Sequence, residues 1–123
     1  MPTQVVDDRE AALRVGYDAT DWVSPVSFED YRTVVKDWII MAIVRDGERI
    51  GALFRKDDEV HVSILPAWRK VWATRGLLRI IFEGDRVTTK VTPGHEYMHA
   101  ILERLGFKQS DDGTIVKEKA NGN

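Results

Sequence analysis

The period of the hydrophobic pattern changes repeatedly along this chain, and each change predicts an element. Gln4-Val5-Val6 reads as a short strand. A helix follows, capped by Asp7 or Asp8 and ended by Gly16, with Ala11, Ala12, Leu13 and Val15 as a weak apolar face. Tyr17 to Pro25 is loop-like, with Trp22 and Val23 as anchors. Ser27-Phe28-Glu29-Asp30 then opens a second helix with a capping-box pattern, and Phe28, Tyr31, Val34 and Val35 keep helical spacing to about Lys36. Trp38 to Val44 is almost wholly apolar, which predicts a strand covered on both faces. Arg45-Asp46-Gly47-Glu48-Arg49 is a hairpin signal, and Ile50 to Phe54 returns as the partner strand. After a polar turn at Arg55 to Asp58, the pattern alternates through Leu65. Glu59, His61 and Ser63 share one face; Val60, Val62 and Ile64 share the other.

Pro66 stops this strand, and Ala67 to about Phe82 reads as the longest helix. Val71, Leu77, Leu78, Ile81 and Phe82 are expected inward, with Arg69, Arg75 and Arg79 outward. Arg86 to Val91 is a further strand, and an intervening helix of this length predicts a parallel, right-handed crossover. Thr92-Pro93 starts a helix that stops at Gly106, and Phe107 to Gln109 and Thr114 to Glu118 close the chain as a hairpin around Asp111-Asp112-Gly113. The fold class expected is α+β: a mixed sheet, mainly antiparallel, with one parallel splayed strand pair and helices on both faces. Where parallel neighbours splay, a crevice opens at their carboxyl ends. Residues 1–123 form a single domain by length, with 118–123 a frayed tail.

Composition narrows the function classes. Hydrophobic content of 43% and charged content of 31% describe an ordinary globular chain. A net charge of -2 speaks against a nucleic-acid binder. The chain has no cysteine, which removes disulfides, thiol nucleophiles and thiolate zinc sites. No apolar run approaches the roughly 18–20 residues that span a bilayer, and the opening residues lack a signal-peptide pattern, so a cytoplasmic setting is expected.

Three stretches carry a resemblance to the GNAT acyltransferase superfamily. They are the hairpin Ile43 to Leu53, the strand-to-helix run Val62-Ser-Ile-Leu-Pro-Ala-Trp-Arg69, and the helix ending Leu102-Glu-Arg-Leu-Gly-Phe107. In order and spacing the likeness covers about residues 28–118, and it is similar to the short GNAT-like proteins of phage genomes. The resemblance implies a fold that binds acetyl-CoA in the crevice and acylates an amine, here of unknown identity. It implies backbone amides at Ile64 and Leu65 polarising the thioester carbonyl, and a pyrophosphate seat at Arg69, Lys70, Val71, Trp72, Ala73 and Thr74. It also places a general base on the strand entering the crevice, at Glu59 or His61; a histidine takes up and releases protons near neutral pH. The sequence departs from the family pattern at known points. Counting from Arg69, Trp72 and Thr74 stand at the two glycine positions of the phosphate loop; counting back from Gly106, Leu102 stands at the common tyrosine acid and His95 at the common asparagine.

These departures keep a second class in play: a catalytically inactive GNAT-fold binding or structural protein, such as a phage virion or assembly component. Trp72 would then fill the phosphate seat. Trp68 and Trp72, i and i+4, with the basic face of 69–79, would meet a protein partner or a second copy of the chain. Each feature also has a plainer reading. Arg69, Lys70, Arg75 and Arg79 can be a solvated helix face, the tryptophans core residues, and Glu59 and His61 a polar outer face. His95 and His99 have metal-holding spacing but no third ligand, so a helix-surface pair is expected. Tyr97 lies at a different helical angle from the missing tyrosine acid.

Overall fold

The apolar run after Trp38 builds the middle of the sheet. The structure is a computed structural model and describes residues 3–20, 24–91, 95–110 and 114–118. Its strands are β1 (Gln4–Val6), β2 (Ile39–Arg45), β3 (Glu48–Lys56), β4 (Glu59–Ile64), β5 (Arg86–Thr89), β6 (Lys108–Gln109) and β7 (Ile115–Glu118). Its helices are α1 (Arg9–Ala19), α2 (Phe28–Val34), α3 (Arg75–Ile81) and α4 (Met98–Arg104). The strands form one sheet in the order β1-β2-β3-β4-β5-β7-β6. Every pairing is antiparallel except β4 with β5, as the α+β reading expects. The β2–β3 turn places Asp46 at φ 53° and Gly47 at φ 80°, the left-handed pair that a tight hairpin needs.

Both faces of the sheet are covered. On one, α1 and α2 pack Ala12, Leu13, Val15 and Tyr31 against Ile40, Ala42, Ala52 and Phe54. On the other, α3 and α4 bring Leu77, Ile81, Met98 and Leu102 onto Ile43, Ile50, Val60 and Ile64. Caps start the first two helices as the sequence suggests: Asp8 accepts from the Ala11 amide, and Ser27 from the Asp30 amide. Gly16 does not end α1, which continues to Ala19. Its role is close approach: a Cβ there would meet Phe54 Cζ at 2.8 Å and Ala52 Cβ at 3.0 Å.

The largest correction concerns the helix expected over 67–82. The chain makes a single 3-10 turn at Pro66–Trp68, then an irregular turn, and only then α3. Two side chains explain the break. Trp72 is 0% exposed, drawn into the core, and this turns Val71, expected inward, out to 49% exposure. Thr74 then accepts from the Leu77 amide at 3.2 Å and starts a new helix as its cap. Trp68 and Trp72 therefore do not share a helix face. The start of α4 expected at Thr92-Pro93 lies outside the described residues; the described helix begins at Met98, so His95 and His99 are not one turn apart on it. Its end is as expected, with Gly106 at φ 96° and the Phe107 amide bonding the Leu102 carbonyl at 3.0 Å.

Candidate functional site

β4 and β5 touch at one register pair, Glu59 with Thr88, supported by the Thr88 amide on the Asp58 carbonyl at 2.8 Å. Beyond it β4 runs on to Ile64 without a β5 partner, and the junction after Ile64 faces the opening. Successive amides of a strand point to alternate sides. Leu65 donates toward β3, to the Ile50 carbonyl at 2.8 Å. Ile64 donates toward the opening, where its amide meets Nε2 of His95 at 3.0 Å. Both amides expected to polarise a carbonyl thus already have partners. His95 is 2% exposed, a buried acceptor and not half of a surface pair.

The expected phosphate seat is divided in two. Amides of Trp68, Arg69, Val71 and Trp72 donate within the turn itself, to carbonyls of Leu65, Pro66 and Trp68. The indole of Trp72 lies in the core, and its Nε1 donates to the Tyr97 hydroxyl at 2.8 Å. Arg69 is also partly structural: Nε bonds the Ile64 carbonyl and a terminal nitrogen bonds the Ala19 carbonyl, both at 2.9 Å. It thereby ties the end of β4 to the end of α1. Ala73 and Thr74 are half-buried, and Lys70 is exposed.

Charge gathers next to this turn. A groove of about 650 Å³ between the turn, α3 and α4 is lined by Arg69, Lys70, Arg75, Arg79 and Arg104, and among the described residues no carboxylate lines it. Among the described residues, none of Lys70, Arg75, Arg79 and Arg104 has a carboxylate within ion-pair distance. Tyr97 and Ala73 lie in the same groove. Burial pushes the Tyr97 phenol above its ordinary value, against smaller downward effects of the Trp72 hydrogen bond and the Arg69 charge, so it remains protonated at neutral pH. Arg104 and Tyr97 were not readable as members of this set. They come from α4 and its first turn, and only the pairing of α4 with α3 across the crevice brings them in.

Glu59 and His61 do come together, His61 Nε2 lying 2.5 Å from Glu59 Oε2 on the α1/α2 face of β4. His61 also lines a recess of about 210 Å³ with Tyr31, Val34, Val35, Trp38 and Phe54, its ring 5.6 Å from that of Trp38. No group of three or more histidines and carboxylates that could hold a metal occurs among the described residues. Nor is any of their helices long and apolar enough to cross a membrane.

No protein-family model matches the sequence, and no curated protein is similar to it in sequence. Solved structures are similar in fold. The ribosomal-protein-S18-alanine N-acetyltransferase from Escherichia coli superposes with a TM-score of 0.58 at 15% identity, over 98% of this chain and 97% of that one. An aminoglycoside acetyltransferase in complex with coenzyme A and kanamycin gives 0.55 at 13% identity, over 95% and 94%. A GNAT-family protein from Desulfovibrio desulfuricans gives 0.53 at 12% identity, over 93% and 94%. The chain has the GNAT fold.

Proposed function

We propose that this chain is an acyl-CoA-dependent N-acyltransferase that uses acetyl-CoA to acylate a primary amine. The observation that carries the reading is the five-cation groove beside the splayed end of β4. Its size suits a cofactor-sized ligand, and its charge suits one bearing several phosphates. The residues fit this ligand in an altered way. Where the family pattern has loop glycines and free amides, the attraction here comes from Lys70, Arg75, Arg79 and Arg104, with Arg69 fixed between them and the strand. Two of the structural neighbours are named acetyltransferases of defined acceptors, one of them solved with coenzyme A, which supports the same class.

When bound, acetyl-CoA supplies an acyl group activated as a thioester. His61, held by Glu59, takes one proton from the acceptor ammonium and passes it to solvent. The freed nitrogen lone pair then forms the new C–N bond as the C–S bond breaks, and the sulfur leaves with the bonding pair. The second proton lost from nitrogen goes to that sulfur. The protonated Tyr97 phenol stands in the groove as a donor for the developing thiolate, a role the resemblance assigns to a tyrosine at the position of Leu102 and not to Tyr97. Most of the rate comes from holding the two reactants on opposite sides of one strand edge.

Thermal unfolding with added acetyl-CoA tests this. At about 100 times the dissociation constant, binding adds roughly 2.7 kcal/mol, which raises the melting temperature by about 10 °C for a domain of this size. The double variant Arg75→Glu, Arg79→Glu, at two exposed positions, should abolish the shift without lowering the melting temperature of the free protein. No shift of the wild-type chain at millimolar acetyl-CoA would overturn the proposal.

A further inference from the structure

The apolar recess over β4 narrows the acceptor, on the premise of the acyltransferase reading. It lies on the α1/α2 face of the sheet and the basic groove on the α3/α4 face; Arg69 of the groove bonds the carbonyl of Ile64, the residue after Ser63 of the recess. Ser63 lines the recess, and the next residue, Ile64, aims its amide into the crevice. An acceptor seated here and a phosphate-bearing donor seated in the groove therefore meet at the unpaired edge of one strand.

The walls state the chemistry. Tyr31, Val34, Val35, Trp38 and Phe54 supply the lining, and among the described lining residues none but His61 is charged or basic. Burial pushes the Tyr31 phenol far above its ordinary value, so Tyr31 adds no negative charge to this wall. The recess is about 210 Å³, more than the roughly 150 Å³ apolar cavity that holds a benzene ring. At its His61 end stands the carboxylate of Glu59, a complement for one ammonium. We propose that the recess binds the aromatic-sized apolar group of a primary monoamine, with its ammonium at the Glu59–His61 pair. A polyamine or an aminoglycoside would have to press a second ammonium against Val35, Trp38 and Phe54, and that charge would lose its water with no partner in return.

The experiment titrates phenethylamine, spermidine and kanamycin separately into the isotopically labelled protein, reading the Trp38 indole N–H by NMR, with acetyl-CoA melting curves in parallel. Phenethylamine should move the Trp38 signal and saturate, and the two polycations should leave it in place. Val34→Arg, at a position 74% exposed that tolerates a long polar side chain, should weaken phenethylamine by about tenfold, as two lost methylene contacts would. The same variant should leave the acetyl-CoA shift unchanged. A Trp38 signal unmoved by phenethylamine, or moved more readily by either polycation, overturns the acceptor inference even where acetyl-CoA binds. Phenethylamine binding at Trp38 without any acetyl-CoA shift supports the recess and removes the acyltransferase reading instead.

Discussion

Trp72 separates two views of the strand-to-helix junction. If the indole merely obstructs a phosphate seat, removing it should cost little and open the site. The structure argues the opposite. Trp72 is 0% exposed, belongs to the same cluster as Val60, Ile64, Leu77 and Met98, and spends its N–H on the Tyr97 hydroxyl. Truncating a buried tryptophan to alanine costs about 3–5 kcal/mol. With an unfolding entropy of about 2.1 cal/mol/K per residue, that lowers the melting temperature by roughly 12–20 °C. Trp72→Phe keeps most of the apolar contact and removes only the donor, so it should cost about 1–2 kcal/mol, or about 4–8 °C. The same change carries a titration signature. The Trp72 hydrogen bond opposes the effect of burial on the Tyr97 phenol, so losing it should move Tyr97 ionisation to still higher pH. Circular-dichroism melts of the three proteins and ultraviolet titration of the phenols measure both effects. A Trp72→Ala protein that melts within about 3 °C of wild type and binds acetyl-CoA more tightly would refute the reasoning.

Gly51 lies opposite Ile64 in the β3–β4 register, and a Cβ there would fall 2.5 Å from the Ser63 carbonyl oxygen. Gly51→Ala should therefore force backbone apart at the end of β4 and cost about 1–3 kcal/mol, read by urea unfolding; an unchanged midpoint would contradict the packing described. Asp8 is held below its ordinary value of 3.8, first by its hydrogen bond from Arg49 and then by the Ala11 amide. A carboxylate depressed in the folded state contributes stability in full above its unfolded value and loses it as pH falls through the folded one. Asp8→Asn should accordingly lessen the acid loss of stability below pH 3.8, and an identical acid limb in wild type and variant would count against it.

What the sequence disclosed is what neighbouring residues decide between themselves. Asp46-Gly47 required a left-handed turn wherever the strands lay, Asp8 and Ser27 had an amide within reach three residues on, and the alternation of Glu59 to Ile64 sorted two faces without knowing what covered either. The errors arose where distant contacts overrode local pattern. Val71, Leu77, Leu78, Ile81 and Phe82 keep helical spacing, but burial of Trp72 against Tyr97 and capping by Thr74 outweigh one continuous helix. Gly16 has the composition of a helix stop and the surroundings of a contact, because Ala52 and Phe54 approach from β3. His95 seemed a surface residue until Ile64, 31 positions earlier, supplied the amide it accepts from. The apolar recess draws on α2, β3 and β4 together, so no single stretch could disclose it.

The His95 contact bears on how such a crevice could work. An Nε2 that accepts from an amide presents its lone pair there, so the imidazole occupies the place a ligand carbonyl would take. Leaving that amide dry and unpaired would cost about 1–3 kcal/mol, whereas exchanging one acceptor for another costs little. On the acyltransferase reading we propose, ligand entry at the splayed edge would be a swap of partners on the Ile64 amide. It requires His95, 2% exposed and bounded by Tyr97, to turn aside. The cationic side chains act at longer range, on a groove that needs no such rearrangement. On that same reading, affinity would fall to Lys70, Arg75, Arg79 and Arg104, and access to the strand edge to His95, two tasks that a glycine-rich loop would have combined.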